Sequence, residues 1–217
     1  MSDIFHEVDE EVRREQLKKL WERYGNFAIA LAVLVVMAVA AWRGYDYWQT
    51  KKAAEIGTQF DAASMLSEQG KHEEAEKAFA KISAEGTAGY RLLARLREAA
   101  ELATRDPKGA VALYDEIAAS SATGQPLQDL AALRAAMILV DSAPLDEITR
   151  RLEPLAQAGA PFRHSARELM ALAAWRAGDK AAMRKWSDLI RTDPETPGTI
   201  RNRIDILMAL AGEGSKG

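Results

Sequence analysis

The sequence predicts an all-α protein: one N-terminal transmembrane helix, then a helical solenoid of about four helix pairs, closed by a capping helix. Three observations carry this. The first is an uncharged apolar run from Tyr24 to Trp42. The second is a following region rich in Ala, Leu, Arg and Glu, punctuated by proline, with no run of alternating β-branched residues. The third is a helical packing pattern that recurs about every 35 residues.

The run YGNFAIALAVLVVMAVAAW contains no polar residue from Phe27 to Ala41. As a helix it is roughly 28 Å long, close to the ~30 Å hydrocarbon core of a bilayer. Trp21 and Tyr24 precede it, and Trp42, Tyr45, Tyr47 and Trp48 follow it, an aromatic belt at each boundary. Arg23 and Arg43 sit just outside, where their stems can reach headgroups. A buried core helix would show an apolar stripe rather than an apolar cylinder. Ala38-Val39-Ala40 has the spacing of a signal-cleavage site. The preceding segment, however, is long and acidic (Asp3, Glu7, Asp9, Glu10, Glu11, Glu15), unlike a short basic leader. An uncleaved anchor is therefore expected. Arg13, Arg14, Lys18, Lys19 and Arg23 precede the span, against Arg43, Lys51 and Lys52 after it. That bias places the N-terminus inside and the C-terminal region outside or in the periplasm.

The remaining chain is long enough for one domain with its own core. A net charge of −3 gives no pull toward nucleic acid. The absence of cysteine excludes disulfides and thiol chemistry. The expected segments are a cytoplasmic tail and juxtamembrane helix at 1–23, the anchor at 24–48, the repeat domain at 49–211 and a disordered tail at 212–217. Within the first, residues 1–10 read as loose. Leu17, Leu20, Trp21 and Tyr24 share a helical face, and Gly25-Asn26 offers a bend before the span. Gln49 to Lys52 reads as a polar neck.

Pro107, Pro126, Pro144, Pro161, Pro194 and Pro197 fall between periodic segments and mark helix boundaries. The spacing predicts helices at 52–69, 72–84, 88–104, 107–119, 126–141, 144–157, 161–177, 180–191 and 197–211. Asp106, Asp179 and Asp193 supply cap chemistry at or near helix entries.

The second helix of each pair repeats one face. Ala75, Phe79 and Ile82 recur as Ala110, Tyr114 and Ile117, then Ile148, Leu152 and Leu155, then Ala182, Trp186 and Leu189. Their starts are separated by 35, 38 and 34 residues. A small residue, a large one and an aliphatic at 0, +4 and +7 share a helix face. Ile148 departs by putting a large side chain where a small one belongs. This period and face resemble the tetratricopeptide repeat, most closely in the first and fourth units.

Catalytic chemistry is sparse. His6 lies in the tail. His72 heads a helix beside Glu73 and Glu74, and His164 stands one turn before Glu168, an exposed i,i+4 pair rather than two metal ligands. The acidic groups Glu73, Glu74 and Glu76, Asp115 and Glu116, and Asp146 and Glu147 read as first-turn acids on second helices. No phosphate-binding, dinucleotide, nucleophile-elbow or zinc-protease motif occurs. The expectation is a non-enzyme with no cofactor and no metal. The first helices carry Arg91, Arg95, Arg97, Arg134, Arg163 and Arg167, with 91/95 and 163/167 spaced i,i+4. Arg91, Arg95, Arg134, Arg163 and Arg167 are candidate groove residues for acidic or carboxylate groups. The alternative is a solvated face paired with Glu98, Glu101, Asp129 and Glu168.

The exit Ala41-Trp42-Arg43-Gly44-Tyr45-Asp46-Tyr47-Trp48, with the neck and Ala-rich repeats after it, resembles the membrane-anchored tetratricopeptide-like ancillary subunit of the bacterial Sec translocon. That resemblance implies an N-in anchor in the bacterial inner membrane and a periplasmic repeat domain. Its implied partners are the translocon, a membrane-anchored periplasmic prolyl isomerase and other periplasmic chaperones. An envelope or division-complex assembly adaptor unrelated to secretion fits an anchor and a groove equally. A cytoplasmic repeat domain on a C-in anchor differs from both in topology alone.

Overall fold

Local chemistry sets several of the helix ends. The computed structural model describes residues 3–212; of the expected tail at 212–217 it describes only Gly212, in a turn, and the rest lies outside the described residues. Among the described residues the helices are α1 Asp3–Glu68, α2 His72–Glu85, α3 Ala88–Leu102, α4 Pro107–Ala119, α5 Gln125–Leu139, α6 Leu145–Leu152, α7 Arg163–Arg176, α8 Lys180–Thr192 and α9 Gly198–Leu210. Asp106 caps α4 by accepting from the Gly109 N–H (3.0 Å), and Asp179 caps α8 by accepting from the Ala182 N–H (2.8 Å). Asp193, expected near the entry of the last helix, instead ends α8. Gly70 and Gly178 take φ of +75° and +74° after α1 and α7. There the Lys71 and Asp179 N–H groups reach back five residues to the Leu66 and Ala174 carbonyls. Both are Schellman turns, which need left-handed backbone and so favour glycine.

Several boundaries differ from expectation. α1 starts at Asp3, so residues 3–10 are helical rather than loose, and the 52–69 segment belongs to the same helix. The neck is helical too; Gln, Thr and Lys tolerate helix, and Gln49 Nε2 donates to Tyr45 Oη at 2.5 Å. Gly25 and Asn26 stay in helix, with the Trp21 indole laid over Gly25. Expected helix 144–157 stops at Leu152, and Glu153–Ala156 is a 3-10 turn containing Pro154. Proline lacks the N–H to continue an α-helix and its ring crowds the carbonyl four residues back.

The chain forms two units, Met1–Ala54 and Glu55–Gly217. In the first, the side chains of the apolar run face outward: Leu34 is 62 %, Val36 67 % and Met37 66 % exposed. This one helix is long and apolar enough to cross a membrane. At the end of the run, Tyr45 and Trp48 rings lie 6.4 Å apart and the Lys52 ammonium sits over Trp48.

The second unit is a helical array with its core in three successive clusters. Phe60 meets Phe79 edge-on (5.2 Å) and Tyr90 (5.8 Å), joining the end of α1 to α2 and α3. Ala99, Tyr114, Ile117, Ala131 and Ala135 join α3, α4 and α5. The largest cluster runs from Leu133 through Met170 and Met183 to Met208. Each helix pair thus packs on its neighbours, as in a repeat array. Each fully buried large side chain contributes about 1.5–3 kcal/mol.

Three of the four repeat triplets are buried as expected: Ala75/Phe79/Ile82, Ala110/Tyr114/Ile117 and Ile148/Leu152/Leu155. The fourth is displaced by one residue. Leu189 is exposed, whereas Met183, Ser187 and Ile190 are wholly buried at 0, +4 and +7. The ring of Trp186 falls at +3, and the position filled by Phe79, Tyr114 and Leu152 in the earlier units holds Ser187. Its hydroxyl has no hydrogen-bond partner among the described residues. Asp115 and Glu116 lie in the later half of α4, not in its first turn.

Candidate functional site

The arginines of the first helices separate into two groups by what surrounds each guanidinium. Arg163 and Arg167, one turn apart on α7, both close on Asp193 at the end of α8. Arg163 Nε donates to Asp193 Oδ2 at 2.9 Å and its Nη2 pairs with Glu195. Arg167 is 5 % exposed; its Nε donates to the Ala156 carbonyl (2.9 Å), and its Nη1 reaches Leu189 O (3.3 Å) and Asp193 Oδ2 (3.0 Å). The Arg163 hydrogen bond, the Glu195 N–H and the Arg167 contact hold the Asp193 carboxyl far below the usual carboxylate range, against the effect of burial. Arg95, half-buried on α3, donates to Glu116 Oε2 of α4 at 2.9 Å. These three arginines join elements of the array. A buried guanidinium must find acceptors, and here the neighbouring helices supply them.

Arg91, Arg97 and Arg134 are exposed, and among the described residues none has an ion-pair partner. Arg97 of α3 and Arg134 of α5 both act on the Tyr114 hydroxyl of α4, whose pKa burial pushes up while the two arginines pull it down. The Tyr114 hydroxyl itself donates to the Leu96 carbonyl at 3.4 Å. Leu93 and Met137 flank the two arginines at i−4 and i+3 on α3 and α5, 45 % and 46 % exposed. Each of these arginines thus stands exposed on a first helix, with an exposed apolar side chain one turn from Arg97 and one turn from Arg134.

None of the four expected acidic partners accepts a hydrogen bond from the first-helix arginines among the described residues. Glu98 accepts from Ser83 Oγ (3.0 Å), and burial pushes its pKa up. Glu101 is buried and bound by Ser67 Oγ (2.6 Å) and His72 Nδ1 (2.7 Å), so His72 is not an ordinary solvated helix start. Asp129 accepts from Gln125, and Glu168 takes a two-pronged contact from Arg203 of α9 at 2.5 and 2.8 Å. His164 therefore does not pair with Glu168. Its Nδ1 lies 3.1 Å from Thr196 Oγ1, and burial, then Arg163, lowers its pKa. Among the described residues no three His, Asp or Glu side chains are grouped as metal ligands.

Sequence reasoning missed two features. Arg151 of α6 clamps Asp115 of α4 with two contacts (2.7 and 3.1 Å) across 36 residues. A groove of about 880 Å³ also opens between α6 and α8, lined by Leu145, Thr149, Arg150, Pro154, Lys185 and Trp186.

The family model described as tetratricopeptide repeat-like domain matches residues 18–185. No curated protein and no solved structure matches the chain. A match over that length, on an array whose first three second helices bury the same triplet, places this chain in the tetratricopeptide repeat-like family, whose fold serves as a scaffold for protein–protein contact.

Proposed function

We propose that this protein is a non-enzymatic, membrane-anchored interaction scaffold. Residues 24–48 form the anchor and 49–211 the repeat domain, which lies in the periplasm with the N-terminus in the cytoplasm. Its place is beside the Sec translocon, where it brings a membrane-anchored prolyl isomerase or other chaperones to emerging chains. The observation that carries the anchor is the outward-facing apolar surface of α1, which nothing else in its own unit covers. Exposed apolar area of that extent calls for lipid or a partner. The five-to-three excess of Lys and Arg before the span supports the orientation. The aromatic exit Trp42 to Trp48 supports the translocon reading through its family resemblance.

Partner contact runs through Arg91, Arg97 and Arg134 on α3 and α5. Arg95 ties α3 to α4 beside them, while Arg163 and Arg167 tie α7 to the end of α8. Exposed arginines with Leu93 and Met137 beside them suit an acidic segment that carries apolar side chains.

Reporter fusions after Gly217 test the topology. Alkaline phosphatase fused there is expected to be active in cells, while a fluorescent protein that matures only in the cytoplasm stays dark. The reverse pair of results removes the periplasmic placement, and with it the translocon role.

A further inference from the structure

A notch indents the surface of α1 where the apolar run ends, lined by Ala38, Val39, Trp42 and Arg43. Val39, Trp42, Arg43 and Asp46 fall at 0, +3, +4 and +7, so they share one face of the helix. Along that face Val39 lies toward the middle of the run and Asp46 beyond its end, with Trp42 and Arg43 between them. All four are exposed, Trp42 at 74 %. The i,i+3 spacing of Arg43 and Asp46 permits an ion pair. Among the described residues neither has an ion-pair partner, each other included. Nearby polar groups of the exit are engaged: Tyr45 accepts from Gln49, and Lys52 sits over Trp48.

We infer that this notch is a binding site for a zwitterionic phospholipid of the ethanolamine class. The inference rests on the reading of residues 24–48 as the anchor, which puts Val39 among acyl chains and Arg43 and Asp46 at headgroup depth. There Arg43 donates to the lipid phosphate, which suits the forked N–H groups of a guanidinium. Asp46 lies about 4.5 Å farther along the helix axis. It accepts from the headgroup ammonium, which a short ethylene link joins to the phosphate. An acyl chain follows Val39 and Ala38, where small side chains leave room beside the Trp42 indole.

Charge selects the headgroup. Arg43 alone would take any phosphate, but Asp46 beside it needs a cation. Phosphatidylglycerol brings none, and sets its own negative charge against the Asp46 carboxylate. A protein helix laid over the notch would bury both charges, which is costly unless it supplies a partner for each. A zwitterionic headgroup supplies both in one molecule.

Native mass spectrometry of the full-length protein in mild detergent counts bound lipids. Phosphatidylethanolamine and phosphatidylglycerol with the same acyl chains are offered in equal amounts. The one-lipid adduct is expected to favour phosphatidylethanolamine about threefold, the effect of one exposed ion pair. Asp46→Asn removes that preference, and Arg43→Gln weakens both adducts. Arg23→Gln, at the other end of the span, keeps the preference. These positions are exposed on one helix, so the circular-dichroism signal of each variant is expected to match that of the unaltered protein. Equal adducts in the unaltered protein, a preference that survives Asp46→Asn, or one lost in Arg23→Gln overturns the inference. Alkaline carbonate extraction of native membranes tests the anchor separately. Protein that stays in the membrane yet shows equal adducts overturns the lipid site alone, whereas protein released by carbonate overturns the anchor as well.

Discussion

Arg167→Ala is expected to destabilise the repeat domain by about 3 kcal/mol, a melting shift of roughly 10 °C for a domain of this size. The change orphans the Ala156 and Leu189 carbonyls and removes one of two cations on Asp193. Arg167→Lys restores little, because one ammonium on a flexible stem cannot reproduce the planar fork that meets three acceptors. Thermal melts of the full-length chain, followed by circular dichroism in mild detergent, measure both variants. An unchanged melting temperature for Arg167→Ala would remove the joint from the account.

The same joint gives the protein an acid limit. In the folded state Asp193 binds its proton less readily than an ordinary carboxylate of pKa 3.8, so on acidification the unfolded chain takes up the proton first. Its stabilisation is complete above that value and is lost as the pH falls below it. His164 adds a milder loss at higher pH. Its lowered affinity for a proton means that stability falls as the pH drops through the ordinary histidine value of 6.5. His164→Gln is expected to remove the upper step and leave the lower one.

Ile148→Ala is expected to cost about 2–5 kcal/mol, because a wholly buried aliphatic between α5, α6 and α7 leaves a cavity that fixed helices cannot close. Ala110 holds the same place in the preceding unit and has no room to grow, so Ala110→Leu overpacks and costs about 1–3 kcal/mol. The two changes run in opposite directions of size, yet both lower the melting temperature. If Ala110→Leu leaves it unchanged, the shared register of the second and third units is wrong.

Helix ends were legible where their cause is local. Asp106 before Pro107 and Asp179 after Gly178 are cap and turn chemistry within four residues, and the structure has both. The buried triplets of the first three units were legible because a helix face repeats its own period. The fourth was misread because Trp186 drew the frame one residue toward the N-terminus, while the packing places Met183, Ser187 and Ile190 inside. Pro154 is local too, but it lies inside an otherwise helical stretch.

The arginines were legible only in part. An i,i+4 spacing shows that Arg163 and Arg167 share a face, but not that Asp193, some 26 to 30 residues later, closes over it. Arg91, Arg97 and Arg134 emerge as the open cations only once every other contact of the array is known.

Site-specific photo-crosslinking in native membranes tests the central claim most directly. A photoactivatable residue at Leu93 or Met137 of the full-length chain is expected to give adducts with translocon subunits or a periplasmic chaperone. Arg97→Glu with Arg134→Glu reduces those adducts severalfold while the helical circular-dichroism signal is kept. The same probe at Glu74, on the exposed side of α2, stays silent. Adducts arising from Glu74, or from residues 24–48 alone, would contradict the account, because recognition would then belong to the second helices or to the anchor.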